Sequence, residues 1–328
     1  MDISVLAAGA WGTALATAFS ARHRVTLWAR EKALVADMRQ CRENRAFLPG
    51  FPLPESLRLE DDLTAAAASA EILIIATPIA GLRPTLRRLA ELRTRVPLLW
   101  ACKGFEAGAG KLPHEVFAEE LPRLAGGALS GPSFAQEVAA GLPAALALAS
   151  TDGAFSRDMA RRLHGGQLRI YASDDLIGVE VGGALKNVLA IATGVCDGLK
   201  LGLNARAALM TRGLAEIARL GVALGAKKDT FLGLAGMGDL ILTCTGDLSR
   251  NRRIGHDLAA GLPLQQALAD LGHVAEGVPA AWEAQRIATR LGIEMPITTV
   301  VTEVLGGHVS VREGVTQLLA RDPGPEDR

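Results

Sequence analysis

The segment Val5-Leu6-Ala7-Ala8-Gly9-Ala10-Trp11-Gly12-Thr13 constrains this chain more than any other. An apolar run at residues 3–6 passes through small residues directly into a helical pattern from about 12 to 22. Such a turn leaves the first N–H groups of the helix open. Small residues let a pyrophosphate approach them, and the helix N-terminus stabilises its charge. The segment therefore reads as a dinucleotide turn, with Gly9, Ala10, Trp11 and Gly12 as contact residues. Gly12 and Ala16 offer a small helix face for packing on a sheet. Ala7 stands where the G-x-G-x-x-G pattern has its first glycine, so the match is one glycine short. A tight turn without a ligand is the competing reading of this segment taken alone.

Up to about residue 173, short strand-like runs alternate with helical patterns, the signature of a mostly parallel sheet. Strands are expected at 3–6, 25–28, 72–76, 97–101, 144–149 and 168–171, with an amphipathic helix near 156–163. After Ser173 the strand-like runs almost vanish. Long Ala/Leu/Gly patterns at 174–198 and 204–224 replace them, with Asp174 or Asp175 able to cap the first. The expected architecture is an α/β Rossmann-type doubly wound domain at 1–173, followed by an all-α domain at 174–328. The proline-rich, charged tail at 321–328 is expected to fray.

Composition narrows the function classes. Lys plus Arg and Asp plus Glu both number 35, so no global field draws the chain to nucleic acid or an anionic membrane. The four cysteines, Cys41, Cys102, Cys196 and Cys244, are far apart and form no CxxC pair. That argues against a zinc site or a disulfide framework and for a reducing cytosol. Cys196 and Cys244 read as small buried hydrophobes. No histidine lies in a cluster with metal-ligand spacing, although His256 sits near a basic run, and no metal is expected. Residues 3–19 are nearly uncharged, but Asp2 occupies the place of a basic n-region and Arg22 and Arg24 follow the apolar run, unlike a signal peptide. No other apolar stretch reaches the ~20 residues of a membrane helix. The protein is expected to be cytoplasmic and not membrane-embedded.

The second strand ends Leu27-Trp28-Ala29-Arg30. NAD sites usually place a carboxylate there for the ribose hydroxyls; Arg30 can pair with a 2′-phosphate instead, so NADP is tolerated. A solvated surface arginine is the competing reading, and Glu31 next door leaves NAD against NADP open. Four further segments place polar groups among glycines. Lys103-Gly104 follows a sheet strand. Ser130-Gly131-Pro132-Ser133-Phe134-Ala135 reads as a loop entering a helix, with N–H groups suited to an anion. Gly182-Gly183-Ala184-Leu185-Lys186-Asn187 lies inside a helical pattern. Gly236-Met237-Gly238-Asp239-Leu240 leads to Thr243 and then to Ser249-Arg250-Asn251-Arg252-Arg253.

In this order the segments resemble the bacterial NAD(P)-dependent glycerol-3-phosphate dehydrogenases. The likeness runs from the first turn to Glu294-Met295-Pro296-Ile297, and includes Asn204-Ala205-Arg206 and Thr211-Arg212-Gly213-Leu214-Ala215-Glu216. It implies a helical domain like the C-terminal domain of 6-phosphogluconate dehydrogenase, and interconversion of dihydroxyacetone phosphate and sn-glycerol 3-phosphate with NADP(H), NAD(H) or both. It also implies a homodimer that feeds glycerophospholipid synthesis. Carried over by residue, the catalytic lysine falls on Lys186. The substrate contacts fall on Lys103, Gly131, Ser133, Asp239, Ser249, Arg250 and Asn251, with Asn187 and Thr243 as neighbours. The cofactor contacts fall on Trp11, Arg30, Phe47, Lys103, Ala135, Arg250, Val274 and Glu276. Relatives often carry Thr at the position of Ser133, which keeps the hydroxyl.

The chemistry is legible apart from that resemblance. Reducing a ketone needs a hydride at one face of the carbonyl and a proton at its oxygen. A lysine ammonium serves best when desolvation or neighbouring cations bring its pKa toward the operating pH. Gly182 and Gly183 share a helix face with Lys186 and leave room beside it for substrate and nicotinamide; a helix crossing with a snorkelling lysine is the alternative. Arg250 with Asn251 offers a fork of donors for phosphate, against a solvated loop. A nucleic-acid patch is disfavoured by the zero net charge and the absence of aromatics for stacking. Asp239 is either an anionic partner of Lys186 or Lys103, or a cap for the helix that follows. Two other functions fit the same plan: a β-hydroxyacid dehydrogenase of the 6-phosphogluconate or hydroxyisobutyrate type, and a non-catalytic NADPH sensor.

Overall fold

Ile72-Leu-Ile-Ile is buried at every position, and a strand without a polar face belongs inside a parallel sheet covered on both sides. The structure, a computed structural model, describes residues 1–272 and 275–321. In it this strand lies in an eight-stranded sheet. The strands are β1 (Asp2–Leu6), β2 (Arg24–Trp28), β5 (Arg58–Glu60), β6 (Ile72–Ile75), β7 (Leu98–Trp100), β8 (Gly126–Ser130), β9 (Ala144–Ala149) and β10 (Leu168–Ser173). Their order is β10-β9-β8-β7-β6-β1-β2-β5. All pairs are parallel except β8 with β9. A separate antiparallel pair, β3 (Glu43–Asn44) and β4 (Leu48–Pro52), lies outside the sheet. The helices of this part are α1 (Ala10–Ser20), α2 (Lys32–Cys41), α3 (Leu63–Ala68), α4 (Ile79–Glu91), α5 (Pro113–Glu120), α6 (Ala135–Ala139) and α7 (Gly153–Leu163). Strand order reverses at β1 and β6, so the crevice outside their carboxyl ends is where a doubly wound sheet takes its ligand.

The helical part comprises α8 (Leu176–Gly198), α9 (Leu203–Ala223), α10 (Asp239–Thr245), α11 (Arg250–Ala259), α12 (Leu264–Leu271), α13 (Gly277–Leu291), α14 (Pro296–Leu305) and α15 (Val311–Leu319). Its core gathers Val181, Leu185, Leu189, Ile217, Leu220 and Phe231, all nearly inaccessible. Glycines permit one backbone-to-backbone crossing. A Cβ on Gly194 would lie 2.0 Å from the Arg252 carbonyl oxygen, and one on Gly255 would lie 2.0 Å from that of Ile191. Helices α8 and α11 therefore touch without intervening side chains.

Three expectations need adjustment. The two compact units part after Leu176 rather than after 173, and Lys103–Leu112 groups with the helices although its neighbours group with the sheet. Phe105 and Leu112 explain this, because both are buried in the helical core. Helix α8 is, contrary to the expectation of no such stretch, long and apolar enough to cross a membrane by length and composition, but 94% of its most apolar window is buried inside the protein. That is the setting of a core helix. Finally, β3, β4, β5 and β8 lack the length or apolar run that marks a strand in sequence; β8 opens on two glycines. The frayed tail expected at 321–328 falls, from residue 322 onward, outside the described residues.

Candidate functional site

The turn after β1 is made of backbone. Ala7 adopts φ +99°, a region L-residues rarely enter, and its N–H donates to the Trp28 carbonyl at 2.9 Å. This is the position where the pattern calls for glycine, and alanine holds it at a cost of about 1–2 kcal/mol. Gly12 is required for packing: a Cβ there would sit 2.0 Å from the Ala7 oxygen and 3.1 Å from the Ala76 Cβ. Gly9 differs, since a Cβ on it would meet nothing within 4 Å. Gly9 caps α1 with extended backbone, and no side chain accepts from the first-turn amides. Open space above uncapped N–H groups, at Gly9, Ala10 and Trp11, fits a pyrophosphate.

Asn44, which the sequence reading did not single out, locks this turn. It is fully buried, and its Nδ2 donates to the Ala8 carbonyl and to the Thr13 hydroxyl, both at 2.8 Å. Its Oδ1 accepts from the Phe47 N–H at 3.2 Å, and Phe47, between β3 and β4, is 42% exposed. A lone Asn in a polar stretch carries no sequence signal; only the fold brings it to the turn. Arg30 is exposed, and its guanidinium pairs with Glu31 at 2.8 Å. An exposed pair of this kind is worth little and yields readily to a phosphate. Gly131 adopts φ +144°, the Ser133 hydroxyl donates to its carbonyl at 3.0 Å, and Ala135 opens the five-residue α6.

In the helical unit Asp239 is completely buried between two lysines. Lys186 Nζ donates to its Oδ1, and Lys103 Nζ to its Oδ2 at 2.5 Å. Asp239 begins α10, but both its oxygens serve ammonium groups, which decides against a capping role. Lys186 also donates to the Thr243 hydroxyl at 2.9 Å, and that hydroxyl donates to the Asp239 carbonyl at 2.7 Å. Burial pushes the Lys186 ammonium down to about 8; Asp239 opposes the fall and Lys103 adds to it. Two cations share one anion in a dry setting, the arrangement that tunes a lysine for proton transfer near neutral pH. Gly182 has a role other than leaving room for ligand. A Cβ there would lie 2.4 Å from the Ala235 oxygen, so this glycine seats the Leu234–Gly238 segment, and hence Asp239, against α8.

The basic run resolves into distinct parts, and it is the first turn of α11 rather than a solvated loop. Ser249 caps the helix, its hydroxyl accepting from the Arg252 N–H at 3.3 Å. Arg252 is structural, with Nε 2.9 Å from Asp197 and Nη1 3.0 Å from Asp247. Arg206 reaches the same Asp197 at 3.1 Å. Arg250 is exposed and pairs with no carboxylate among the described residues. Buried Asn251 accepts from the Gly277 N–H at 3.0 Å through Oδ1, which leaves its Nδ2 as a donor. Asn187 is buried next to Lys186, and a Cβ on Gly277 would lie 2.6 Å from its carbonyl oxygen. Glu276 directly precedes α13, and Val274 lies outside the described residues.

All four cysteines are free thiols. Burial pushes Cys244 up to about 12, which makes it inert. His256 is exposed in the last turn of α11. An apolar cavity of about 960 Å³ lies among α8, α9, α14 and α15, lined by Val195, Leu209, Val300 and Val304, and contains none of the site residues named above.

Comparison with known proteins agrees with both units. Residues 2–156 match the N-terminal, and residues 175–316 the C-terminal, family model of NAD-dependent glycerol-3-phosphate dehydrogenase. The chain is 64% identical to the NAD(P)+ glycerol-3-phosphate dehydrogenase of Dechloromonas aromatica, with 99% of each chain covered. It is 56% identical to that of Aromatoleum aromaticum, over 99% of this chain and 100% of the relative. Among solved structures, glycerol-3-phosphate dehydrogenase from Coxiella burnetii is similar at a TM-score of 0.93 and 42% identity, covering 98% of this chain and 99% of that one. The chain belongs to the NAD-dependent glycerol-3-phosphate dehydrogenase family.

Proposed function

We propose that Lys186 is the proton donor and acceptor of this NAD(P)-dependent glycerol-3-phosphate dehydrogenase, which interconverts dihydroxyacetone phosphate and sn-glycerol 3-phosphate. The observation that carries the assignment is buried Asp239 holding Lys186 and Lys103 on its two oxygens. When bound, the dinucleotide supplies or accepts the hydride at the substrate's C2. The Lys186 ammonium gives its proton to the O2 oxygen as the carbonyl becomes a hydroxyl, and the neutral amine regains a proton from solvent. Asp239 keeps the amine oriented throughout. Thr243 accepts from the same amine, Asn187 follows Lys186 in α8, and Lys103, Gly131 and Ser133 complete the set of substrate contacts.

Arg250, Asn251 and Ser249 take the phosphate. An exposed guanidinium, an amide donor and a hydroxyl at a helix start form the donor fork that a dianion needs. The cofactor set is Gly9, Ala10, Trp11, Gly12, Arg30, Phe47, Lys103, Ala135, Arg250, Val274 and Glu276. It takes NADPH or NADH, with Arg30 favouring the 2′-phosphate. A homodimer in the cytoplasm, serving glycerophospholipid synthesis, completes the reading. The apolar lining of the 960 Å³ cavity suits a second copy better than a phosphorylated triose, and sedimentation at twice the monomer mass is expected.

The deciding test is oxidation of NADPH and NADH with dihydroxyacetone phosphate beside a panel of β-keto acids. Turnover of the triose phosphate alone supports the assignment; turnover of the keto acids alone would move the protein to the β-hydroxyacid dehydrogenases. Cofactor binding without any turnover would make it a sensor.

A further inference from the structure

The ten residues Lys103–Leu112 leave the sheet unit and pack as part of the helical one. Phe105 and Leu112 anchor the loop's two ends in the helical core. Between them the backbone closes on itself: Glu106 N–H donates to the Lys111 carbonyl and Gly110 N–H to the Glu106 carbonyl, both at 2.8 Å. The tip is tied down at Gly108, whose N–H donates to Glu283 Oε1 at 2.5 Å. Glu283 lies on α13 and is only 8% exposed. Its other oxygen accepts from Arg286 Nε at 3.0 Å and Nη2 at 2.8 Å, so the carboxylate is held rigidly and its charge is met locally. The guanidinium lies directly beneath the turn: a Cβ on Gly110 would overlap Arg286 Nη2 at 2.3 Å.

This closed loop begins at Lys103, which Gly104, at φ +117°, joins to the anchored Phe105. The Lys103 ammonium meets Asp239 at 2.5 Å, beside Lys186. We infer that Glu283, by holding the Gly108 amide, fixes the Lys103–Leu112 loop so that the Lys103 ammonium stays on Asp239; Glu283 is a positioning residue for the second lysine of the site. The inference rests on the assignment of Lys103 and Lys186 made above. Without Glu283 the tip loses its tie to α13, the loop tilts about its apolar anchors, and a contact of hydrogen-bond length at Lys103 lengthens. Lys186 would then keep Asp239 but lose its cationic neighbour. Among the described residues, Asp239, Thr243 and Cys244 on α10 and Lys103 on the loop face Lys186. Of these only Lys103 would move, and its withdrawal raises the Lys186 pKa.

The test is a double-mutant cycle on the full-length enzyme with dihydroxyacetone phosphate and NADPH. Glu283→Ala should raise KM for the triose phosphate about ten-fold and move the alkaline limb of kcat to higher pH, in the same direction as Lys103→Met. Glu283→Gln keeps one carbonyl oxygen for Gly108 but turns an amide NH2 toward the Arg286 guanidinium, so it should fall between the parent and Glu283→Ala. Placed on Lys103→Met, Glu283→Ala should add nothing to either parameter, because the group it positions is already gone. Should Glu283→Ala not fold, Glu283→Asp, one methylene short of Gly108, carries the same cycle. Parent KM and pH limb in Glu283→Ala, or losses that add in full to those of Lys103→Met, would overturn the inference. Lys103→Met without effect would instead remove the site assignment itself, and this inference with it.

Discussion

At the small-residue turn after β1 most groups are backbone within a few residues of Gly9, braced from outside by the Asn44 side chain, whereas the lysine cluster joins side chains 53 and 136 residues apart in sequence. The two sites respond differently to change for that reason. A backbone site asks mainly that its residues be small and its dihedrals reachable, so Ala7 can replace a glycine and the turn still forms, under strain. A side-chain site depends on the charge and reach of each member. Asp239 with one lysine missing is a different electrostatic object, since both its oxygens are engaged and water is excluded.

The sharpest way to break this comparison is Lys186→Met. Loss of a general acid should lower kcat by roughly 10²–10⁴-fold while NADPH affinity, measured by fluorescence titration, stays unchanged. Parent turnover would remove Lys186 from the chemistry. The intact enzyme carries its own control. With Lys186 held at about 8, only the ammonium can donate, so reduction should fall as pH rises past that value; alcohol oxidation, which needs the free amine, should rise. Arg250→Ala comes next, with KM for dihydroxyacetone phosphate up by roughly 10–100-fold and KM for NADPH changed much less. Equal effects on both would reassign Arg250 mainly to the cofactor.

Two smaller changes probe the turn. Gly12→Ala forces a Cβ into the Ala7 oxygen and should destabilise the protein by about 1–3 kcal/mol, with NADPH affinity falling alongside the melting temperature. Unchanged melting and affinity would show that α1 can move off β1 freely. Ala7→Gly should stabilise slightly: relief of ~1–2 kcal/mol of strain is offset by ~0.4–1 kcal/mol of added chain entropy. A rise of about 1–3 °C in melting temperature is expected, and a fall would mean that Ala7 is not strained.

How much was legible follows the same division. The strands at Ile3 and Ile72, the change of texture near residue 173 and helix α8 are local patterns, readable because burial on both faces or at helical spacing leaves an apolar trace. Lys186, Asp239 and Arg250 were visible as polar groups set among glycines. Their partnerships were not. The sequence allowed Asp239 to be a cap or a counter-ion, and its bonds to Lys186 and Lys103 on both oxygens decided it. Within Ser249–Arg253 the sequence singled out Arg250 and Asn251 but not Arg252, which is tied to Asp197 while Arg250 is exposed. Asn44 and Glu283 left no trace at all, since neither belongs to a periodic pattern and each acts on backbone far away in the chain.

By itself, then, the sequence determined the strand–turn–helix start, the two-part architecture and the kinds of residue available for hydride and proton transfer, because these follow from steric size, hydrophobic period and side-chain chemistry over short spans. Only the tertiary structure decided that Lys103 joins the helical unit, that one carboxylate serves two lysines, and that Asn44 braces the turn. Those outcomes depend on desolvation and on distances of about 3 Å between groups remote in the chain, and no short-range pattern encodes either.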